Sequence, residues 1–386
     1  MENLGMSLQG DLQHLARDTT LHAYSFDGDI LDMLDSFGVA AGPLDGRVLA
    51  YAQTLDSTIK SVPAAWDYLL NTLGQASLNL QFAGASTLDS RITFTRADAS
   101  PIATRVNSAG LIQLVAAAQA PRFDYDPVTL APQGLLIEGA RTNILLNATI
   151  DGANLATQQP AVALTAAPWT LSFYGTGTVT VKDVTTGTVA SLTGSGAYPT
   201  RSTVTFTPAA GAIPANGVTV TGTVQYAQLE LGSFETSFIP TNSAAVTRAA
   251  DVASMTGTNF SSWFNPTEGT FVCGFDSLVT GNLPASVGVV GCGASARFVY
   301  FPSSTTVAKS YDGTTILSDV VSVTGGAKHK VSSGYTAGAS RSIVTDGGAV
   351  QTTATCAAAY TAGSELRIGA YNNAPETIMS GHIQRL

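Results

Sequence analysis

The chain is short of charge. Asp, Glu, Lys and Arg make up 12% of its 386 residues, about half the share found in ordinary soluble domains. A chain with so few charges depends little on its own hydration, which suits a part packed among neighbours in a large assembly. Acids outnumber bases most at the front. Residues 1–80 hold ten acids (Glu2, Asp11, Asp18, Asp27, Asp29, Asp32, Asp35, Asp45, Asp56, Asp67) against Arg17, Arg47 and Lys60. That is −7 of a net charge of −9, leaving −2 for all that follows. Phosphate contact needs a cationic face, so nucleic acid is disfavoured as a partner. Cysteine is limited to Cys273, Cys292 and Cys356, an odd number with no Cys-x-x-Cys, which argues against a zinc site and against a disulfide framework. The first two lie in strand-like runs and read as small buried apolar residues, at home in a reducing cytoplasm. No apolar run reaches the roughly eighteen residues of a membrane helix. Met1-Glu2-Asn3 lacks the basic start of a secretory leader, so neither membrane insertion nor export is expected.

Catalytic patterns are missing as well. Gly194-Ser195-Gly196 lacks the spacing of a nucleophile elbow. The histidines are His14, His22, His329 and His382; His329, between Lys328 and Lys330, is expected to be solvated. Glu230, Glu235, Glu268, Asp276, Asp312, Asp346, Glu365 and Glu376 could serve a glycosidase in number, but nothing in the sequence pairs them. Asp312 and Asp346 precede glycine and are turn residues first. Asp312 and Asp346 could also join a calcium site, but no spaced acidic loop supports one. The chain is therefore expected to be no enzyme and to carry no metal or cofactor.

What is present is glycine, threonine, valine and alanine in alternating runs, the composition of crowded β-structure with tight turns. Residues 1–80 differ. Leu4, Leu8, Leu12 and Leu15 recur at helical spacing, and Trp66, Leu69, Leu70 and Leu73 give a later segment an apolar face. From Ser77 the period changes to two. Strand-like runs at about ten-residue spacing with Gly turns, such as Trp169–Tyr174, Thr203–Phe206 and Val218–Thr221, indicate a sandwich or jelly roll. The expected order is a helical region (1–80), a β-rich joint (81–143), a first β-sandwich (144–246) and a second (247–386). The class is mainly β.

The joint is the organising stretch. Arg122-Phe123-Asp124-Tyr125-Asp126-Pro127 alternates as a half-buried strand does, and Leu135-Leu136-Ile137 is long enough for one strand covered on both faces. Arg122, Asp124, Asp126, Glu138 and Arg141 crowd this segment of a charge-poor chain and are expected to pair with one another. Val246-Thr247-Arg248-Ala249-Ala250-Asp251 echoes Phe94-Thr95-Arg96-Ala97-Asp98, as one strand-leading device used twice.

The run from Arg122 to Asn143, with Phe94-Thr95-Arg96-Ala97 and Gly110-Leu111-Ile112 before it, resembles a segment of bacteriophage virion proteins. Those are tail-fibre, tail-spike or head-fibre proteins carrying laminin-G/concanavalin-like sandwiches. The likeness is close over about residues 90–145 and looser beyond. Ala227-Gln228-Leu229-Glu230-Leu231-Gly232 with Thr236–Thr241 resembles the last strand of jelly-roll carbohydrate-binding modules. The resemblance implies a homotrimeric virion part, assembled in the bacterial cytoplasm, docked on head, portal or tail proteins through residues 1–80. It also implies alternatives: a receptor-binding lectin for host polysaccharide, or a depolymerase. Sugars are held by aromatic platforms with planar polar groups beside them, for which Trp263, Tyr300, Tyr311, Asp312, Tyr371 and Asn372 are the candidates; the competing role for such aromatics is core packing. Because the family's usual tail after Gly381–Leu386 is absent, the final strand is expected to be an open edge.

Overall fold

A computed structural model describes residues 77–277, 287–292, 296–302, 305–357, 365–371 and 378–386. The helical region expected over 1–80 falls almost wholly outside the described residues, and so does Asn372. The described chain is mainly β. Its one helix there, α1, is the four-residue Thr258–Ser261.

Two seven-stranded sheets enclose the larger core. The first runs in the order β22 (Gln351–Thr353), β21 (Ser340–Thr345), β20 (Lys328–Thr336), β15 (Glu268–Asp276), β24 (Gly381–Arg385), β5 (Pro132–Ile137) and β4 (Arg122–Tyr125). The second runs β1 (Thr93–Thr95), β14 (Val252–Thr256), β23 (Glu365–Ile368), β16 (Val287–Cys292), β17 (Ala296–Phe301), β18 (Val307–Tyr311) and β19 (Ile316–Ser322). Inward residues of both sheets meet as period two requires. Phe271 of β15 stacks on Phe298 of β17 at 4.2 Å, and Phe298 on Tyr335 of β20 at 5.2 Å. Such rings combine area burial with about 0.5–1.5 kcal/mol of specific ring contact per pair. Cys273 and Cys292 are buried in this core, and burial pushes both thiols up to about 12.

A smaller unit has its own core, from Ile144 to Phe238. Its sheets are β10 (Gly196–Phe206), β7 (Trp169–Gly175), β12 (Gln225–Leu231), and β11 (Val218–Thr221), β8 (Thr178–Asp183), β9 (Gly187–Thr193). Val179 and Val181 of β8 alternate inward against Leu171 and Phe173 of β7. Two short pairs complete the fold: β2 (Thr104–Val106) with β3 (Ile112–Leu114), and β6 (Arg141–Asn143) with β13 (Val246–Arg248).

The joint is not a separate layer. Its strands β4 and β5 extend the large unit's first sheet, and β1 pairs with β14 at the edge of the second. The small unit is thus inserted into the large one, leaving and returning through the paired β6 and β13, where the Thr142 and Thr247 hydroxyls meet at 2.7 Å. The final strand is not an open edge either. β24 lies between β15 and β5, so its backbone N–H and C=O groups are paired along both edges. Gly134 permits that approach: at φ +113°, a Cβ there would sit 2.3 Å from the Ile383 carbonyl oxygen.

Candidate functional site

The charged residues of the joint feed a buried network where the two units meet. Arg122 Nη1 donates to Glu138 at 2.6 Å, and its Nη2 donates to Asp251. Arg96 donates to Asp98 at 2.8 Å and to Asp251 at 3.0 Å. Arg248 lies 3.4 Å from Glu138. Arg96, Arg122 and Arg248 face Asp98, Glu138 and Asp251, so three positive charges balance three negative ones. Glu138 also accepts from the Ser237 amide at 2.7 Å and hydroxyl at 2.6 Å, which carries the network into the small unit. Burial by itself would raise the Glu138 carboxyl, but Arg248, Arg122 and Ser237 hold it well below the usual carboxylate range.

Of the five residues expected to pair together, only Arg122 and Glu138 do. Asp124 accepts from His382 Nε2 at 3.0 Å and from the Val106 amide. Asp126 accepts the Val128 and Thr129 amides and closes its own turn. Arg141 lies over the Phe234 ring at 4.9 Å, 3.7 Å from Glu230. The partners missing from that expectation, Arg96, Arg248 and Asp251, stand in the two echoed segments: they form a single site because β1 pairs with β14 and the Ala249 amide donates to Asp98. His382 is clamped between Asp276, 2.8 Å from Nδ1, and Asp124. Burial opposes its charge, but the two carboxylates overcome that and push it up to about 10.

The sequence candidates for sugar contact are scattered. Trp263 is packed edge-on against Phe260 at 5.3 Å and donates its indole N–H to Asn259. Tyr300 is buried on β17, 6.1 Å from Tyr371. Tyr311 donates to Gly313 O at 2.6 Å. Asp312 is a buried turn cap, accepting from Thr314 and Thr315 beside Arg341, and its carboxyl stays at about 2: burial would raise it, but the two amides lower it more. These side chains are held by their own neighbours. Three of the candidate acids are similarly engaged: Asp346 by His329 at 2.6 Å, Glu365 by Arg367, Asp276 by His382; Glu376 lies outside the described residues. His329 is therefore buried and bonded, not solvated, because its Nδ1 meets Asp346 and its Nε2 meets the Thr324 backbone. No group of three His, Cys, Asp or Glu able to hold a metal occurs among the described residues.

A different cluster does open to solvent. On the small unit's β10–β7–β12 sheet, Tyr174 of β7 is flanked by two irregular strands. β10 departs from its register between Gly196 and Arg201, and the looped residues carry Tyr198 to 5.0 Å from Tyr174. β12 bulges between Gln225 and Gln228, and Tyr226, at φ +46°, stands edge-on to Tyr174 at 6.0 Å. A bulky residue in that backbone region is a true outlier, and bulges of this kind re-aim a side chain. Gly152 makes room for it: a Cβ there would lie 2.8 Å from the Tyr226 ring. Leu111, Ile112, Ala197, Tyr198, Gln225 and Tyr226 line a cavity of about 300 Å³ between this sheet and the β2–β3 hairpin. Tyr198 donates to Gly110 O at 2.6 Å, which ties the hairpin to the sheet. Alternation and propensity do not reveal this cluster. A non-glycine bulge is invisible in periodicity, and Tyr198 and Tyr226 come together only through pairing with β7.

No protein-family model and no curated protein matches the chain. Among solved structures, it is similar to domains LG4-5 of the mouse laminin alpha1 chain, at 10% identity, over 66% of this chain and 93% of that one, with a TM-score of 0.18. A superposition that loose assigns no function, and the architecture stands on the strand pairings and cores described above.

Proposed function

We propose that the protein is a structural component of a bacteriophage particle, a fibre, spike or decoration part anchored by residues 1–80, with its two two-sheet units acting as projecting jelly-roll and concanavalin-like sandwiches. The observation that carries this reading is the buried network of Arg96, Arg122, Arg248, Asp98, Glu138 and Asp251. It locks the small unit onto the large one at the stretch whose sequence resembles virion proteins. A projecting part must hold its shape, and buried charges that are all paired favour one arrangement over others. The resemblance further supports three copies around an axis. Exposed apolar side chains at the edge strand β19, Ile316 and Val320, give such copies surface to cover.

The test uses the chain without residues 1–75, supplied while particles assemble. It should fold, remain soluble and be missing from purified particles. Particles that take it up overturn the anchoring role. Light scattering of the full chain should return the mass of three 39.6 kDa copies; a stable monomer would sink the trimer.

A further inference from the structure

We propose that the cavity lined by Tyr198, Tyr226, Ile112 and Gln225 is a binding site for a neutral sugar residue of a glycan chain. The inference goes beyond the structural role above and does not depend on which particle, if any, carries the protein.

Four observations carry it. The first is size: about 300 Å³ is at the lower end of small-ligand pockets, room for a short stretch of glycan and not for a folded partner. The second is chemistry. The lining offers aromatic rings, aliphatic side chains and one carboxamide, with no ionisable acid or base beyond the phenols. A pyranose ring has an apolar C–H face to lay on an aromatic ring and hydroxyls around its rim to hydrogen-bond. Gln225 Nε2 donates to Gly152 O at 2.6 Å, which fixes the amide and leaves its oxygen to accept from a sugar hydroxyl. The third is charge. Burial above all, then Tyr174 and the carboxylates of Asp124 and Asp126, push the Tyr198 phenol up, so it stays neutral, and the lining holds no Lys, Arg or His to pair with an anion. A nucleotide, a phosphosugar or an acidic sugar is thereby disfavoured. The fourth is backbone cost. Tyr226 holds a left-handed conformation inside a strand, and two bulges on either side of Tyr174 deliver rings to one spot. Strain of this kind persists where the surroundings impose it, and it gathers at sites that bind.

The experiment uses the full chain on an array of neutral and acidic glycans, followed by saturation-transfer NMR with whichever neutral oligosaccharide binds. The expected result is saturable binding of at least one neutral glycan and none of sialylated or uronic-acid probes. Tyr198→Ala should weaken that binding by roughly tenfold or more, the worth of one lost aromatic contact. Leu111→Glu should weaken it similarly by replacing an apolar contact for the sugar's C–H face with a hydrated carboxylate that binding would have to strip of water. Because Leu111 is 57% exposed, that variant folds even if Tyr198→Ala does not. Absence of any neutral ligand, preference for the acidic probes, or binding untouched by Leu111→Glu would overturn the proposal. So would a concentration-dependent self-association abolished by Leu111→Glu without any sugar binding, since the face would then belong to a second copy. None of these outcomes bears on whether residues 1–75 anchor the chain, so the two readings fail separately.

Discussion

Replacing Glu138 by Gln tests the joint most directly. The side chain is fully buried, 2.6 Å from Arg122 and 3.4 Å from Arg248. Gln keeps the shape and one acceptor oxygen, removes the charge, and turns the second oxygen into an NH2 donor that cannot accept from Arg122 or Ser237. Arg96, Arg122 and Arg248 would then face Asp98 and Asp251, leaving one positive charge unbalanced in the interior. Removing one partner of a buried pair costs about 3–5 kcal/mol, against a whole-domain stability of about 5–15 kcal/mol. Urea unfolding reads the loss, since urea does not screen charge as guanidinium does. Hydrogen exchange by segment adds a second readout: in the parent chain, β7 and β15 should open together, and in Glu138→Gln the small unit should open first. The sign with pH also follows. The Glu138 carboxyl is depressed in the fold, so its contribution is fully present above the ordinary carboxylate range and is lost as pH falls from that range down through the depressed value. A loss below about 1 kcal/mol, or independent opening of the two units already in the parent, would refute the reasoning.

His382, raised to about 10 from an ordinary 6.5, stabilises the fold fully below pH 6.5, and that stabilisation drains as pH rises toward 10. His382→Gln should therefore flatten the urea midpoint between about pH 7 and pH 10; a parent midpoint already flat over that range would count against the clamp. Gly134→Ala should cost at least about 2 kcal/mol, because its Cβ would strike the Ile383 carbonyl at 2.3 Å. Circular-dichroism melts would show it, and an unchanged midpoint would mean β5 and β24 can part without penalty. Asp251→Asn should destabilise by about as much as Glu138→Gln, and the double variant by less than the sum, since both share Arg122 and Arg248.

The sequence was legible where structure is local. Val179 and Val181 alternate, glycines punctuate the turns, and the small core from Ile144 to Phe238 lies in the span where those signals cluster. Charge crowding in a charge-poor chain pointed to Arg122 and Glu138, which do pair. What stayed hidden was partnership over long separations. Period two says that Leu135 and Ile137 form a strand; it cannot say that β24, some 240 residues on, lies beside them. The likeness of Arg96–Asp98 to Arg248–Asp251 was visible as a pattern, yet its meaning, two halves of one charge cluster, needed β1 and β14 side by side. Aromatic residues beside turn residues suggested Tyr311 with Asp312, but a side chain capped by its own turn is spent on it. Tyr226 escaped because a bulge breaks the very alternation by which strands are recognised.

The neck formed by β6 and β13 has a bearing on how such a chain could change over time. Both crossings pass through one short antiparallel ladder, so the ends of the small unit stay at a fixed, close spacing whatever lies between them. A coding segment for residues 144–245 could be exchanged for another β-module, and the surrounding sheets would still close provided the insert offers Glu138 the donors that Ser237 now supplies. Novelty in what is recognised would then arrive as a cassette, with the scaffold left unaltered.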